Sequence, residues 1–330
     1  MNYENSLELL EEIKKAEKIL INCHRSPDPD SVSSALSMNY ALSILGKENV
    51  EIICPDDIPE NCKFLPDSEK IKKTDFDKFD FTKYDLLITL DSGNWNQVTG
   101  ETNIKNSGIR VLMIDHHHKN PNYGHVGILD TESPANCEVL AKFYEDINIP
   151  FDSSLSTILL TGIIADTASF QTNSVTTSTF KITLDLINKG ADRNKIIFQL
   201  NKSKPLDELL LMGEILSRIV KDEDSKFVWT AIPKDISEKY PSNHDAKAFI
   251  ANYFIQSVAD TNFGMVMEEK EDSLTVSFRS RTDFDVSEIA RELGGGGHNV
   301  ASAARIYGLK FDEAVEKVLT VARKYANKNN

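Results

Sequence analysis

Cysteine is scarce in this chain. Four residues, Cys23, Cys54, Cys62 and Cys137, are spread over 330 positions, with no C-x-x-C pair and no zinc-ribbon spacing. That pattern excludes a disulfide scaffold and a thiolate zinc site, and implies reduced structural thiols. Long apolar runs are also missing: none approaches the roughly 20 residues that cross a bilayer. The first residues, MNYENSLELLEEIKKAEKIL, have the pattern of an acidic amphipathic helix and lack the basic start and compact apolar stretch of a secretory signal. A soluble, cytoplasmic protein with no membrane partner is expected. Basic charge is the third shortage. The 37 Lys and Arg against 51 Asp and Glu leave a formal charge of -14, which opposes the counterion release by which proteins hold long nucleic acids. A phosphorylated partner would have to be small, or met by a local basic patch.

What is present suits two domains, since 330 residues exceed one ordinary core. In the first 130 residues short β-rich runs, KILINCH, VEIIC, DLLITLD and RVLMIDH, alternate with loops and helical stretches, as in a parallel α/β sheet. Ligands gather past the carboxyl ends of such strands, which directs attention to His24, Asp91 and Asp115. Residues 32–45 have helical spacing, ended by Gly46. Residues 153–217 are mainly helical, with interruptions near Gly190 and Pro205. Strands near FVWTAI, FGMVMEE and SLTVSFRS then mark a smaller α/β domain, and a further helix is expected after Asn299. The expected division is 1–190, a helical connector 191–222, and 223–330.

Four elements carry acids and histidines. His24-Arg25-Ser26-Pro27-Asp28-Pro29-Asp30 places an imidazole and two carboxylates between a strand and a helix; alone, the aspartates read equally well as helix caps. Asp91 ends an apolar run whose character implies burial on both faces. Asp115-His116-His117-His118 follows another strand, and three successive histidines are hard to explain as core or as surface. Asp166 lies inside the apolar stretch TILLTGIIADTASF, where a carboxylate needs a metal or hydrogen-bonding partners. Together His24, Asp28, Asp30, Asp91, His116 and Asp166 offer oxygen and imidazole donors without thiolate, a set suited to manganese or magnesium.

The sequence resembles the DHH phosphoesterases, whose naming motif is Asp115-His116-His117 here. It also has the pattern His-x-x-Pro-Asp-x-Asp at His24, Pro27, Asp28 and Asp30. Gly294-Gly295-Gly296-Gly297-His298, preceded by Ser277-Phe278-Arg279-Ser280-Arg281, is similar to the signature of the DHH-associated C-terminal domain. The resemblance is closest to the nano-RNase and pAp-phosphatase branch. It implies two divalent ions, Mn2+ first, with Mg2+ or Co2+ as alternatives: His24, Asp28 and Asp91 would hold one, and Asp30, Asp91, His116 and Asp166 the other, with Asp91 as the bridge. Two ions about 3.5–4 Å apart would activate a water for in-line attack. His117 would face the phosphate and Asp115 would support the geometry, while His118 has no direct role.

The resemblance also implies substrate contacts from Arg279, Ser280, Arg281, Gly295, Gly296, Gly297 and His298. The glycine amides would approach a phosphate near the start of the helix after Asn299. Of Arg279 and Arg281, one is expected to face the glycine loop, and the family pattern favours Arg279. Several positions depart from that pattern: Ser33 and Ala168 stand where glycine is usual, Gln97 and Gln171 where basic residues are frequent, and Ala303 where glycine ends the motif. The expected activity is hydrolysis of pAp and short oligonucleotides to monophosphates. The alternative is a cyclic-dinucleotide phosphodiesterase, and a catalytically inactive nucleotide-binding regulator is a third class. The glycine-histidine signature argues against a family II pyrophosphatase. The sequence leaves homodimerisation open.

Overall fold

The structure, a computed structural model, describes residues 1–100, 108–117, 123–240, 246–297 and 299–328. It divides into two compact units, Met1–Ser203 and Lys204–Asn330, so residues 191–222 are shared between them. Among the described residues no helix is long and apolar enough to cross a membrane, and all four cysteines are buried outside any disulfide.

The first unit is built on six strands: β1 (Ile19–Asn22), β2 (Val50–Cys54), β3 (Ile71–Lys73), β4 (Leu86–Leu90), β5 (Arg110–Asp115) and β6 (Val126–Leu129). All pairings are parallel, in the order β3-β2-β1-β4-β5-β6. Successive side chains alternate between faces. Ile19, Ile21, Ile88 and Ile114 join one core, while Leu20, Ile53, Leu87 and Val111 join Phe76 and Phe81 in another. Both faces are covered, which is why these strands are continuously apolar. The edge strands β3 and β6 are short and carry no such run, which hides them in the sequence.

The unit's helices are α1 (Ser6–Lys15), α2 (Pro29–Ile44), α3 (Trp95–Thr99), α4 (Asn136–Asp146), α5 (Ser153–Asp166), α6 (Thr177–Asn188) and α7 (Arg193–Asn201). α2 starts with Pro29 after the N-cap Asp28, whose carboxylate accepts from the Ser31 amide at 2.9 Å; both choices favour initiation. α2 and α5 pack together and are buried nearly all round. From β1 the chain runs outward to β2 and β3, whereas β4, β5 and β6 extend the other way. The loops after β1 and β4 therefore diverge, the switch point at which doubly wound sheets open a ligand crevice.

The second unit comprises α8 (Leu206–Ser217), β7 (Val220–Asp222), β8 (Phe227–Ile232), α9 (Lys234–Ser237), α10 (Ala246–Phe249) with a π-helical turn at Ile250–Phe254, β9 (Phe263–Glu269), β10 (Ser273–Ser280), α11 (Ser287–Glu292), β11 (Gly296–Gly297), β12 (Ala301–Tyr307) and α12 (Phe311–Ala326). Its sheet order is β11-β12-β10-β9-β8-β7, antiparallel except for β8 with β9. The helix expected after Asn299 is instead the strand β12. ASAARIY contains good helix formers, but Ser302, Ala304 and Ile306 are buried while Ala303, Arg305 and Tyr307 are exposed, and pairing with β10 overrides propensity.

Candidate metal centre

The elements flanking the switch point deliver the acids and histidines of the first unit to one place. His24 follows β1, and its backbone amide donates to Ser31 Oγ at 2.9 Å. Asp91 follows β4 with φ +51°, a left-handed conformation that aspartate tolerates better than most residues. Asp115 is the last residue of β5, and Asp166 the last of α5.

Two donor groups form, each with ligand atoms within 4.8 Å of one another: His24, Asp28 and Asp91, and Asp30, His116 and Asp166. Asp91 joins them. Its Oδ2 lies 3.4 Å from His24 Nε2 and its Oδ1 3.3 Å from His116 Nε2. Asp28 Oδ2 is 3.8 Å from His24 Nε2, and Asp166 Oδ2 is 3.5 Å from His116 Nε2. The other imidazole nitrogens are committed outward, His24 Nδ1 to the Arg25 carbonyl at 2.9 Å and His116 Nδ1 to the Ser133 carbonyl at 3.1 Å. Such bonds fix the tautomer that presents Nε2 to an ion. A third group, Asp91, His116 and His117, competes with Asp115, whose Oδ1 accepts from His117 Nδ1 at 2.7 Å and from the His116 amide at 2.9 Å.

The electrostatics show a cluster in need of positive charge. Burial alone would depress His24, but Asp28 and Asp91 outweigh it and hold its pKa well above the usual histidine value. His116 is raised likewise, burial being overcome by Asp91 and Asp166, and His117 is raised by Asp115 against burial. Burial, reinforced by the Asp91 charge, pushes Asp30 up to about 7. It also pushes Asp166 well up, with His116 opposing and Asp30 adding. For Asp91, burial is outweighed by His116 and His24, and its carboxyl is held below the usual range.

A divalent cation fits this donor set. Asp91 Oδ1 is buried without a hydrogen bond, and the ligand atoms are carboxylate oxygens and imidazole nitrogens. Asp30 is oriented by α4, where the amides of Asn136 and Cys137 donate to its two oxygens at 2.6 and 3.1 Å. That approach requires Gly162 in α5, because a Cβ there would come under 3.0 Å from Asp30 Oδ1 and Cys137 Sγ. Sequence reasoning missed Gly162, the Ser133 carbonyl and the α4 amides. Of these only Gly162 left a signal, as a lone glycine inside an apolar helix.

The departures from the family pattern in the first unit are Ser33, Gln97, Ala168 and Gln171. Ser33 Oγ is buried and unpartnered. Gln97 braces the loop after Asp91, its Oε1 accepting from the Gly93 amide at 2.6 Å and its carbonyl from the Arg25 amide at 2.7 Å. Ala168, Ser169 and Phe170 form a left-handed turn with φ of +47°, +60° and +67°. Gln171 is exposed. His118 and His298 lie outside the described residues.

In the second unit Arg279 and Arg281 are separated by the end of β10 at Ser280; on a continuing strand, positions two apart would share a face. Arg279 donates from Nε to Asn252 Oδ1 at 2.7 Å. Arg281 is exposed and reaches the Thr261 carbonyl. Ser280 is buried, with its hydroxyl donating to the Thr282 carbonyl, so its side chain is not on the face of Arg279. Gly295 and Gly297 lie against β12, where a Cβ on Gly297 would meet Ser302 Cα at 2.6 Å, while Gly296 faces open space.

Residues 18–163 match the DHH family, N-terminal domain, and residues 213–328 match the DHHA1 domain. The chain is 29% identical to the bifunctional oligoribonuclease and PAP phosphatase NrnA of Thermus thermophilus, over 97% of this chain and 94% of that protein. It is 22% identical to the cyclic-di-AMP phosphodiesterase GdpP of Bacillus subtilis over 94% of its own length, spanning 48% of that protein. Among solved structures, an exopolyphosphatase-related protein from Bacteroides fragilis superposes with a TM-score of 0.89 at 24% identity, covering 98% of this chain and 96% of that one. With both domains matched in order, this chain belongs to the DHH family of phosphoesterases.

Proposed function

We propose that the chain hydrolyses phosphate esters of short oligonucleotides, linear dinucleotides and 3'-phosphoadenosine 5'-phosphate (pAp), using two divalent ions, manganese first. The observation that carries this reading is Asp91, whose two carboxylate oxygens face the histidines of two separate donor groups. His24, Asp28 and Asp91 would hold one ion, and Asp30, Asp91, His116 and Asp166 the other. Bound there, divalent cations supply Lewis-acid charge for the phosphoryl group and lower the pKa of an attacking water.

The chain's own groups do the remaining work. Asp115 orients His117 through Nδ1 and raises its pKa against burial, favouring the cationic form that would stabilise charge on the phosphoryl oxygens. The α4 amides fix Asp30 in place and favour its charged form against the burial that raises its pKa. In the second unit Arg279 and the glycine segment with His298 bind the substrate's phosphate and nucleotide, with Ser280 and Arg281 shaping the end of β10. The similarity to NrnA over nearly the full length of both chains supports this substrate class. The likeness to GdpP supports a second reading, cleavage of cyclic dinucleotides.

AMP release from pAp, pApA, a five-residue oligoribonucleotide and cyclic di-AMP, with manganese or chelator, tests both. Manganese-dependent release from pAp, pApA and the oligomer, lost in Asp91→Ala, is expected. Faster cleavage of cyclic di-AMP would favour the second reading, and no metal-dependent hydrolysis of any of them would sink both.

A further inference from the structure

The second unit exposes a sheet face whose charge runs against that of the chain. β10 and β12 pair so that Thr275 faces Arg305, Ser277 faces Ala303 and Arg279 faces Ala301, and β11 sets Gly296 beside Ala303. Cross-strand partners share a face, here the one opposite the buried Val276 and Phe278. Its middle row, Ser277, Ala303 and Gly296, has almost no side-chain bulk, and a Cβ on Gly296 would meet nothing. Cations border this floor. Arg279 stands at one end, braced by Asn252 of the π-helical turn. At the other end, four residues or roughly 13 Å along the strand, are Arg305 and Lys247, the latter donating to Thr275 Oγ1 at 2.6 Å.

The charged groups around Lys247 are Glu268 and Lys270 from the β9 side, Arg305 from β12 and Arg279 from β10. Glu268 is already paired with Lys270 at 2.7 Å. Among the described residues Lys247, Arg279 and Arg305 enter no ion pair, in a chain whose formal charge is -14. Three unneutralised cations around a small-residue floor call for a multiply charged anion.

We propose that Lys247 and Arg305 bind a second, non-scissile phosphate of a nucleotide whose other phosphate group is met by Arg279. This rests on the nucleotide substrate class proposed above. Lys247 is suited to the role. Burial, opposed by Glu268 and reinforced by the neighbouring cations, brings its ammonium down to about 8, and Glu268 itself pairs with Lys270, which leaves the Lys247 ammonium open to a direct contact with an arriving phosphate.

Calorimetric titration of the full chain carrying Asp91→Ala, in chelator, with pAp and with AMP isolates this contact from catalysis. The parent should bind pAp more tightly than AMP by roughly 10- to 100-fold, the range for a hydrogen bond to a charged group. Lys247→Met should remove most of that margin while leaving AMP affinity within about 2-fold, and Lys247→Arg should retain it. Arg305→Gln, at an exposed position, should reduce the margin in the same sense and remains informative if Lys247→Met misfolds. An unchanged margin in Lys247→Met and Arg305→Gln, or no margin in the parent, overturns the proposal. If the margin holds but wild-type protein with manganese hydrolyses nothing, the catalytic reading fails and the phosphate site stands.

Discussion

Gly162 offers the sharpest separation between fold stability and metal binding. In an isolated helix Gly162→Ala would stabilise by about 1 kcal/mol. Here the added methyl would come under 3.0 Å from Asp30 Oδ1 and Cys137 Sγ, and 3.0 Å from Cys137 Cβ, so α2, α4 and α5 must shift. Overpacking of this kind costs about 1–3 kcal/mol, leaving a net loss of about 0–2 kcal/mol. For a unit of this size that is at most about 8 °C in Tm, and the protein still folds. Asp30 gives way first, because its carboxylate is the nearest movable group. Misplacing a metal ligand's support costs about 10- to 100-fold in metal affinity or activity. Manganese titration of hydrolysis alongside thermal denaturation is the assay. Cys137→Ala in the same background should recover part of the stability, since it removes the sulfur clash, without recovering manganese affinity. A Gly162→Ala protein that folds and shows the wild-type manganese midpoint would refute the assignment of Asp30 as a ligand held by this contact.

Asp115→Asn removes the charge that orients His117 and raises its pKa; kcat should fall about 10- to 100-fold while the manganese midpoint moves by less than about 3-fold, and equal losses in both would place Asp115 among the ligands. Ala168→Gly relieves a φ of +47° that costs an L-residue about 1–2 kcal/mol. After the entropy glycine forfeits, a net gain of about 0.5–1 kcal/mol should appear as a Tm raised by about 2–4 °C, and an unchanged or lower Tm would show that the turn is not strained at Ala168. Because the Lys247 ammonium is depressed to about 8, it is cationic below that pH and neutral above. Affinity for pAp in the Asp91→Ala protein should therefore weaken as pH rises from 7 to 9, and Lys247→Arg should flatten that profile; parallel profiles would rule Lys247 out as the titrating group.

The candidate metal ligands were legible because they lie where strands or helices with a plain apolar pattern end, or at the start of α2. His24, Asp91 and Asp115 stand past runs that only a sheet covered on both faces requires, and Asp166 is conspicuous inside α5. The histidines carried a further signal, since His116 and His117 suit neither core nor surface. Strands β8, β9 and β10 of the second unit were equally plain from their pattern.

Other features depended on distant parts of the chain meeting. β12 reads as helix by composition and becomes a strand because β10 offers it a ladder. Nothing local tells that Gly162 faces Asp30 across 132 positions, that Ser133 lends His116 its carbonyl, or that Lys247 reaches Thr275 beside Arg305. The sequence by itself determined which groups could do the chemistry, because residue type and strand-end position are local properties. Only the tertiary structure decided which oxygen of Asp91 meets which histidine, and which cations share a face, because strand order, register and helix packing are set by contacts between segments that carry no mark of each other.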